Sequence, residues 1–258
     1  MQLIFYIKKR YDRIMHDLPY TLAIFDLDGT ILNTLDDLAE SVNFALLQNN
    51  LSPRTVGEVR QFVGNGIRNL ITRSVCAAEG LSLIEGETVF PRFSPTATLS
   101  EKDAVFSLID RVHASFTEHY KIHCADKTRP YDGICGMMKS LREEGIKTAV
   151  VSNKADYAVQ ELCSRYFPGL FDLALGEREG IMRKPSPDSI FAVMKQYDAG
   201  KEETVYIGDS DVDIETAKNA GIDCISVSWG FRSTEFLRQH KADVIVDSVK
   251  ELEKYIKR

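Results

Sequence analysis

Six short β-rich runs recur along the chain: "TLAIFD" (21–26), "KTAVVS" (147–152), "FDLALG" (171–176), "TVYIGD" (204–209), "DCISVS" (223–228) and "DVIV" (243–246). Amphipathic stretches such as 134–144 and 155–166 separate them. That alternation predicts an α/β chain with a parallel sheet and helices on both of its faces. In such sheets ligands sit outside the carboxyl ends of the strands, and Asp26, Ser152 and Asp209 fall at those ends.

The interval between the first run and the second breaks the rhythm. Thr34 is placed to cap a helix whose first turn carries Asp36 and Asp37, with Leu35, Leu38, Val42 and Leu46 on one face. A second helical stretch, 56–62, stops at "VGNGIRNL" and resumes through Leu70, Ile71 and Val75. After a segment holding Pro91 and Pro95, a further helix spans about 100–120. The expected organisation is an N-terminal extension (1–18), a core (19–33 and 127–258) and a helical insert (34–126) above the sheet's carboxyl edge. Met15 is a candidate start within the extension.

Composition narrows the function. A net charge of -6 argues against a surface built for nucleic acid. Apolar residues 1–7 precede the basic cluster Lys8-Lys9-Arg10, the reverse of a secretory signal, and no apolar run reaches the roughly 20 residues that span a bilayer. The five cysteines are widely spaced, never as C-x-x-C, which predicts reduced thiols in a cytoplasmic protein. Monomer and homodimer both stay open.

Asp26 and Asp28 lie two apart, so on an extended strand they face one ligand. A D-x-D can also merely end a strand in a turn. A calcium loop fails on position: counted from Asp26, the sixth place is Ile31 and the twelfth is Asp37. A second acidic strand end, "YIGDSDVDIETAKNAG", adds Asp209, Asp211 and Asp213. Were Asp209 to meet Asp26, carboxylates about 4 Å apart would repel by about 4 kcal/mol at an effective dielectric near 20, and the cluster would need a cation. All-oxygen donors point to Mg2+. Asp211 serves equally well as a helix N-terminal acid. Ser152 and Asn153 offer a hydroxyl and an amide to phosphate oxygens, and Lys184 in "RKPSP" offers a point charge. Each also has an ordinary role, as a helix cap or a surface lysine.

D26-L-D28-G29-T30, S152-N153, K184-P185 and G208-D209-S210-D211-V212-D213, in that order, resemble the four motifs of the haloacid dehalogenase superfamily. The resemblance runs from residue 20 to the C-terminus, and the insert is similar to that family's cap. It implies a Rossmann-like core under a mobile helical cap, and magnesium-dependent phosphoryl transfer. Asp26 would then be the nucleophile and Asp28 the general acid and base. Asp26, the Asp28 carbonyl and Asp209 would hold the metal, with Asp213 orienting Asp209 or Lys184. Lys184, Ser152 and the neighbourhood of Thr30 would balance charge on the transferring oxygens.

"FVGNGIRNL", "TRPYDGI", "VVSNK" and "SWGFR" look like the phosphoglycolate phosphatase group. Gly64, Asn65 and Gly66 would bring amides toward a small anion, and Arg68 would pair with a carboxylate; an ordinary interhelical turn is the alternative. Asn33 stands where many relatives carry aspartate, and 79–99 exceeds the usual connection inside such a cap. The His119 and His123 pair lacks the glutamate of a zinc motif. The expectation is a phosphatase acting on a small phosphorylated metabolite, 2-phosphoglycolate first. Pyrophosphate, a sugar phosphate or a phosphomutase reaction come next, and a non-catalytic binding module last.

Overall fold

A computed structural model describes residues 20–86 and 88–257. The expected extension and the Met15 start lie outside the described residues. The first strand, β1 (Leu22–Phe25), is wholly buried, and Leu22 and Ile24 pack into one apolar cluster while Ala23 and Phe25 pack into another. A strand whose alternate side chains are apolar on both sides belongs in the middle of a covered parallel sheet.

Beyond β2 (Leu32–Asn33) the chain forms α1 (Leu35–Gln48), α2 (Val56–Phe62) and α3 (Ile67–Glu79). A hairpin of β3 (Ser82–Ile84) and β4 (Phe90–Arg92) follows, then α4 (Leu99–His123) and β5 (Arg129–Pro130). The hairpin occupies the lengthened 79–99 connection. Pro91 is tolerated because β4 belongs to a two-stranded sheet. β2 and β5 pair antiparallel where the chain leaves and re-enters the sheet domain. Leu35, Leu38, Val42 and Leu46 of α1 are buried as expected and join Ile109, Val112, Phe116 and Tyr120 of α4 in one cluster with the sheet face.

The core continues with α5 (Ile134–Glu143), β6 (Lys147–Ala155), α6 (Asp156–Tyr166), β7 (Leu173–Glu177), α7 (Asp188–Tyr197), β8 (Thr204–Gly208) and α8 (Asp211–Ala220). It closes with β9 (Asp223–Val227), α9 (Thr234–Gln239), β10 (Val244–Val246) and α10 (Val249–Ile256). The six-stranded sheet has the order β10-β9-β8-β1-β6-β7, and every pairing is parallel. β1 lies between β6 and β8, so the ends of the three strands carrying Asp26, Ser152 and Asp209 are neighbours.

Candidate active site

The residues after β1, β6 and β8 and the loop before α7 converge at the sheet's carboxyl edge. Asp26 is 8% exposed, Asp209 2% and Asp213 0%, and one carboxylate oxygen of each lies within 4.8 Å of the others. Burial, offset by Lys184 and reinforced by Asp213 and Asp28, pushes the Asp26 carboxyl up to about 6. Burial also carries Asp209 well above the usual carboxylate range, helped by Asp213 and Asp26 and opposed by the Phe231 amide.

Lys184 partly neutralises this cluster. Its Nζ lies 3.0 Å from Asp26 Oδ1 and 2.7 Å from Asp213 Oδ1, and it donates to the Tyr206 hydroxyl at 2.9 Å. Burial alone would lower its pKa, but Asp213 and Asp26 more than reverse that. Asn153 fixes the lysine's backbone: Nδ2 donates to the Lys184 carbonyl (3.0 Å) and Oδ1 accepts the Lys184 amide (2.8 Å). The amide expected to reach phosphate is therefore committed to holding the lysine loop.

The three acids are not equivalent. Asp213 Oδ2 accepts from the amides of Asp209 and Ser210 and from Ser210 Oγ, while Oδ1 accepts from Lys184 and Tyr206. With five donors it is a clamp rather than an open ligand. Asp209 Oδ2 takes the Phe231 amide at 2.6 Å, and among the described residues Oδ1 has only Thr30 Oγ1 at 3.5 Å. Asp26 Oδ1 is buried and, among the described residues, is approached by Lys184 Nζ at 3.0 Å as an ion pair. Gly29 and Gly230 let the backbone close on Asp209: a Cβ on either would stand 2.4 Å from Asp209 Oδ2. The carboxylate oxygens of Asp26 and Asp209, clustered with no histidine or cysteine ligand among the described residues, suit a hard divalent cation.

Asp28 has a different setting. Its Oδ1 and Oδ2 accept from Lys154 Nζ at 2.9 and 3.0 Å, and Oδ1 also accepts from Thr34 Oγ1 at 2.7 Å. The expected Thr34 cap is thus not made: the hydroxyl serves Asp28, and α1 begins without a side-chain cap. Lys154 Nζ donates in turn to the hydroxyl of Tyr120, on cap helix α4, at 2.6 Å. Burial would lower the Lys154 pKa, but Asp28 and Tyr120 hold the ammonium above the ordinary lysine value. Lys154 was not among the residues singled out from sequence. Its signal is the strand itself: β6 continues beyond Ser152, and residues two apart on a strand share a face.

Cap and core enclose a cavity between Asp26, Asp28, Asp209 and Lys184 below and Leu38, Val63, Gly64, Gly66, Ile67, Leu70 and Tyr120 above. Gly64 and Gly66 have φ of +128° and +82°, in the region that favours glycine. Asn65 turns away, its Oδ1 accepting from Arg73 and its carbonyl from Asn69. The expectation for Arg68 is corrected: Nη1 pairs with Asp110 Oδ1 at 2.5 Å on the cap surface, outside the cavity. Arg232 lines the cavity instead. It donates to the Arg60 and Val63 carbonyls at 2.9 and 2.6 Å, tying the loop after β9 to the cap. Ser152 is buried and accepts the Lys154 amide at 3.4 Å, and Thr30 lies behind Asp209; neither lines the cavity. His119 and His123 stack on each other, with His119 against Ser41 and His123 against Asp126.

Buried carboxylates, a lysine across them and a cap closing over the sheet edge define a class: hydrolases of phosphate esters built on a parallel α/β core. The comparisons place the chain within that class. The model of the haloacid dehalogenase-like hydrolase family matches residues 23–227. The chain is 30% identical to a phosphoglycolate phosphatase of Colwellia psychrerythraea over 90% of its own length and 94% of the relative's. It is 29% identical to a phosphoglycolate phosphatase of Agrobacterium fabrum, covering 88% of each. A crystal structure from Lactobacillus delbrueckii subsp. bulgaricus, provisionally assigned as a phosphoglycolate phosphatase, is 40% identical, superposes with a TM-score of 0.80, and is covered for 99% of its length by 93% of this chain. The chain belongs to the haloacid dehalogenase-like hydrolase family, and it is a phosphatase. No helix among the described residues is long and apolar enough to cross a membrane.

Proposed function

We propose that the protein is a magnesium-dependent phosphatase that hydrolyses a small phosphate monoester, foremost 2-phosphoglycolate, through an aspartyl-phosphate on Asp26. The observation that carries this reading is the separation of two carboxylates in one cavity, Asp26 against Lys184 and Asp28 against Lys154. The phosphoglycolate phosphatases among the relatives support the substrate, and the small cavity, about 60 Å³, favours a leaving group of few atoms.

In this reading Asp26 attacks phosphorus, and the bond to the ester oxygen breaks as Asp28 delivers a proton to that oxygen. Water then attacks the phosphorus of the Asp26 phosphate, giving its proton to Asp28, and inorganic phosphate leaves with Asp26 restored. Lys184 holds the nucleophile and faces the negative charge of the transferring group. Magnesium, held by Asp26, Asp209 and the Asp28 carbonyl, would neutralise phosphate charge. The cap, residues 34–126, closes on a core of 19–33 and 127–258 and excludes bulk water from the intermediate.

The test is phosphate release by purified protein from 2-phosphoglycolate, pyrophosphate and sugar phosphates, with magnesium and with a chelator. Ranking by kcat/KM should put 2-phosphoglycolate first, with activity lost on chelation. Isomerised sugar phosphate without phosphate release would instead establish a mutase. Inactivity toward every ester would overturn the proposal.

A further inference from the structure

The cavity has two chemically distinct ends. At one, Lys184 is shared between Asp26 and Asp213. At the other, Lys154 has a single carboxylate partner among the described residues, Asp28, and its side chain is 2% exposed. The third cation lining the cavity, Arg232, spends its guanidinium on cap carbonyls. A phosphorus at Asp26 with its ester oxygen toward Asp28 directs whatever is attached to that oxygen toward Lys154 and Tyr120. Tyr120 Oη accepts from Lys154 at 2.6 Å and, among the described residues, donates to none, so its proton faces an unfilled role. Leu38, Ile67 and Leu70 add apolar walls to the cavity, where an ionic contact is less screened than in water.

We propose that Lys154 and Tyr120 form a subsite for a carboxylate carried on the leaving alcohol, so that these two side chains select the α-carboxylate class of phosphate ester. The subsite rests on the phosphatase reading above and deepens it. Lys154 grips Asp28 through two contacts, and an arriving carboxylate takes over one of them while accepting the Tyr120 proton. The cap thereby contributes to specificity through Tyr120, in place of the expected Arg68.

The test compares 2-phosphoglycolate with its carboxamide, 2-(phosphonooxy)acetamide, which has the same shape without the charge. Wild-type protein with magnesium should favour the acid at least 30-fold in kcat/KM. Lys154→Met should lower turnover of both esters, because Asp28 loses its anchor, and should shrink the preference below threefold. Lys154→Arg should restore part of that preference, and Tyr120→Phe should weaken it mainly through KM for the acid. Equal wild-type rates on acid and amide would overturn the subsite. So would a Lys154→Met variant that loses both activities by the same factor, which would leave Lys154 only as a positioning residue for Asp28. Should Lys154→Met not fold, the wild-type ratio and Tyr120→Phe decide the matter. Wild-type protein inactive on every phosphate ester would instead overturn the underlying reading, and the subsite with it.

Discussion

Lys184→Met removes the ammonium that pairs with two of the three clustered buried carboxylates, Asp26 and Asp213, while nearly preserving side-chain length. Each pair among Asp26, Asp209 and Asp213 has oxygens within 4.8 Å, a repulsion of about 3 kcal/mol or more at an effective dielectric near 20. Against this, contacts of 3.0 and 2.7 Å give Lys184 about 6 kcal/mol of attraction to each of Asp26 and Asp213 on the same scale. Most of that gross figure is offset by the desolvation of the lysine, and breaking a buried pair from one side costs about 3 to 5 kcal/mol net. For a chain of this size that corresponds to a loss of roughly 6 to 20 °C in thermal midpoint. The assay is thermal unfolding of metal-free protein at neutral pH, paired with phosphate release in magnesium. Activity should fall by about 10²- to 10³-fold, as when one preorganised charge donor is removed. A midpoint within 2 °C of wild type, with kcat/KM within about threefold, would refute the reasoning.

Asp28→Asn retains the shape of the general acid without its proton, and kcat should drop by about 10²- to 10⁴-fold with little change in the circular dichroism spectrum. Gly230→Ala places a Cβ 2.4 Å from Asp209 Oδ2, so magnesium affinity measured by calorimetry should fall at least about tenfold. Burial, with help from Asp213 and Asp28, holds Asp26 near 6 against 3.8 for the free carboxyl. The metal-free native state therefore keeps a proton that the unfolded chain releases, so its stability should fall as pH rises from about 4 to about 6. Magnesium bound as proposed would displace that proton, so saturating magnesium should raise the thermal midpoint more at pH 8 than at pH 5; equal increments would contradict the assignment. Arg232→Met cuts two donors to the cap carbonyls and should raise KM several-fold, measured on the preferred substrate.

Much of this was legible because local pattern and chain order carry it. All six β-rich runs are strands of one parallel sheet, and the strand-end acids meet because β1 is flanked by β6 and β8. The roles of single side chains were less legible, because each depends on a partner that only the folded chain brings within reach. Thr34 looks like a cap until folding places Asp28 within 2.7 Å of its hydroxyl. Arg68 looks like a ligand until Asp110, 42 residues on, takes its guanidinium. Lys154 is one lysine among many until a strand assigned as ending at Ser152 continues to Ala155 and delivers it to Asp28. The hairpin at 82–92 was hidden by its brevity, three residues a side. Other signals were readable but unread: "TVGE" and "TLSE" form capping boxes that start α2 and α4.

The hydrogen bonds at Asp28 link substrate chemistry to the position of the cap. Its carboxylate is held by Lys154 from core strand β6 and by Thr34 at the entry to the cap, while the Lys154 ammonium also reaches Tyr120 on α4. Moving α4 away would exchange the Tyr120 contact of Lys154 for water, so this bond contributes only about 1 kcal/mol to the closed position. The closed position thus shares Lys154 with Asp28, the proposed proton donor. The Asp26 cluster obeys a complementary logic: Lys184 offsets part of its repulsion, and the repulsion that remains among three buried carboxylates favours cation binding. One end of the cavity is completed by the cap through Tyr120, and the other holds a carboxylate cluster whose repulsion Lys184 only partly offsets.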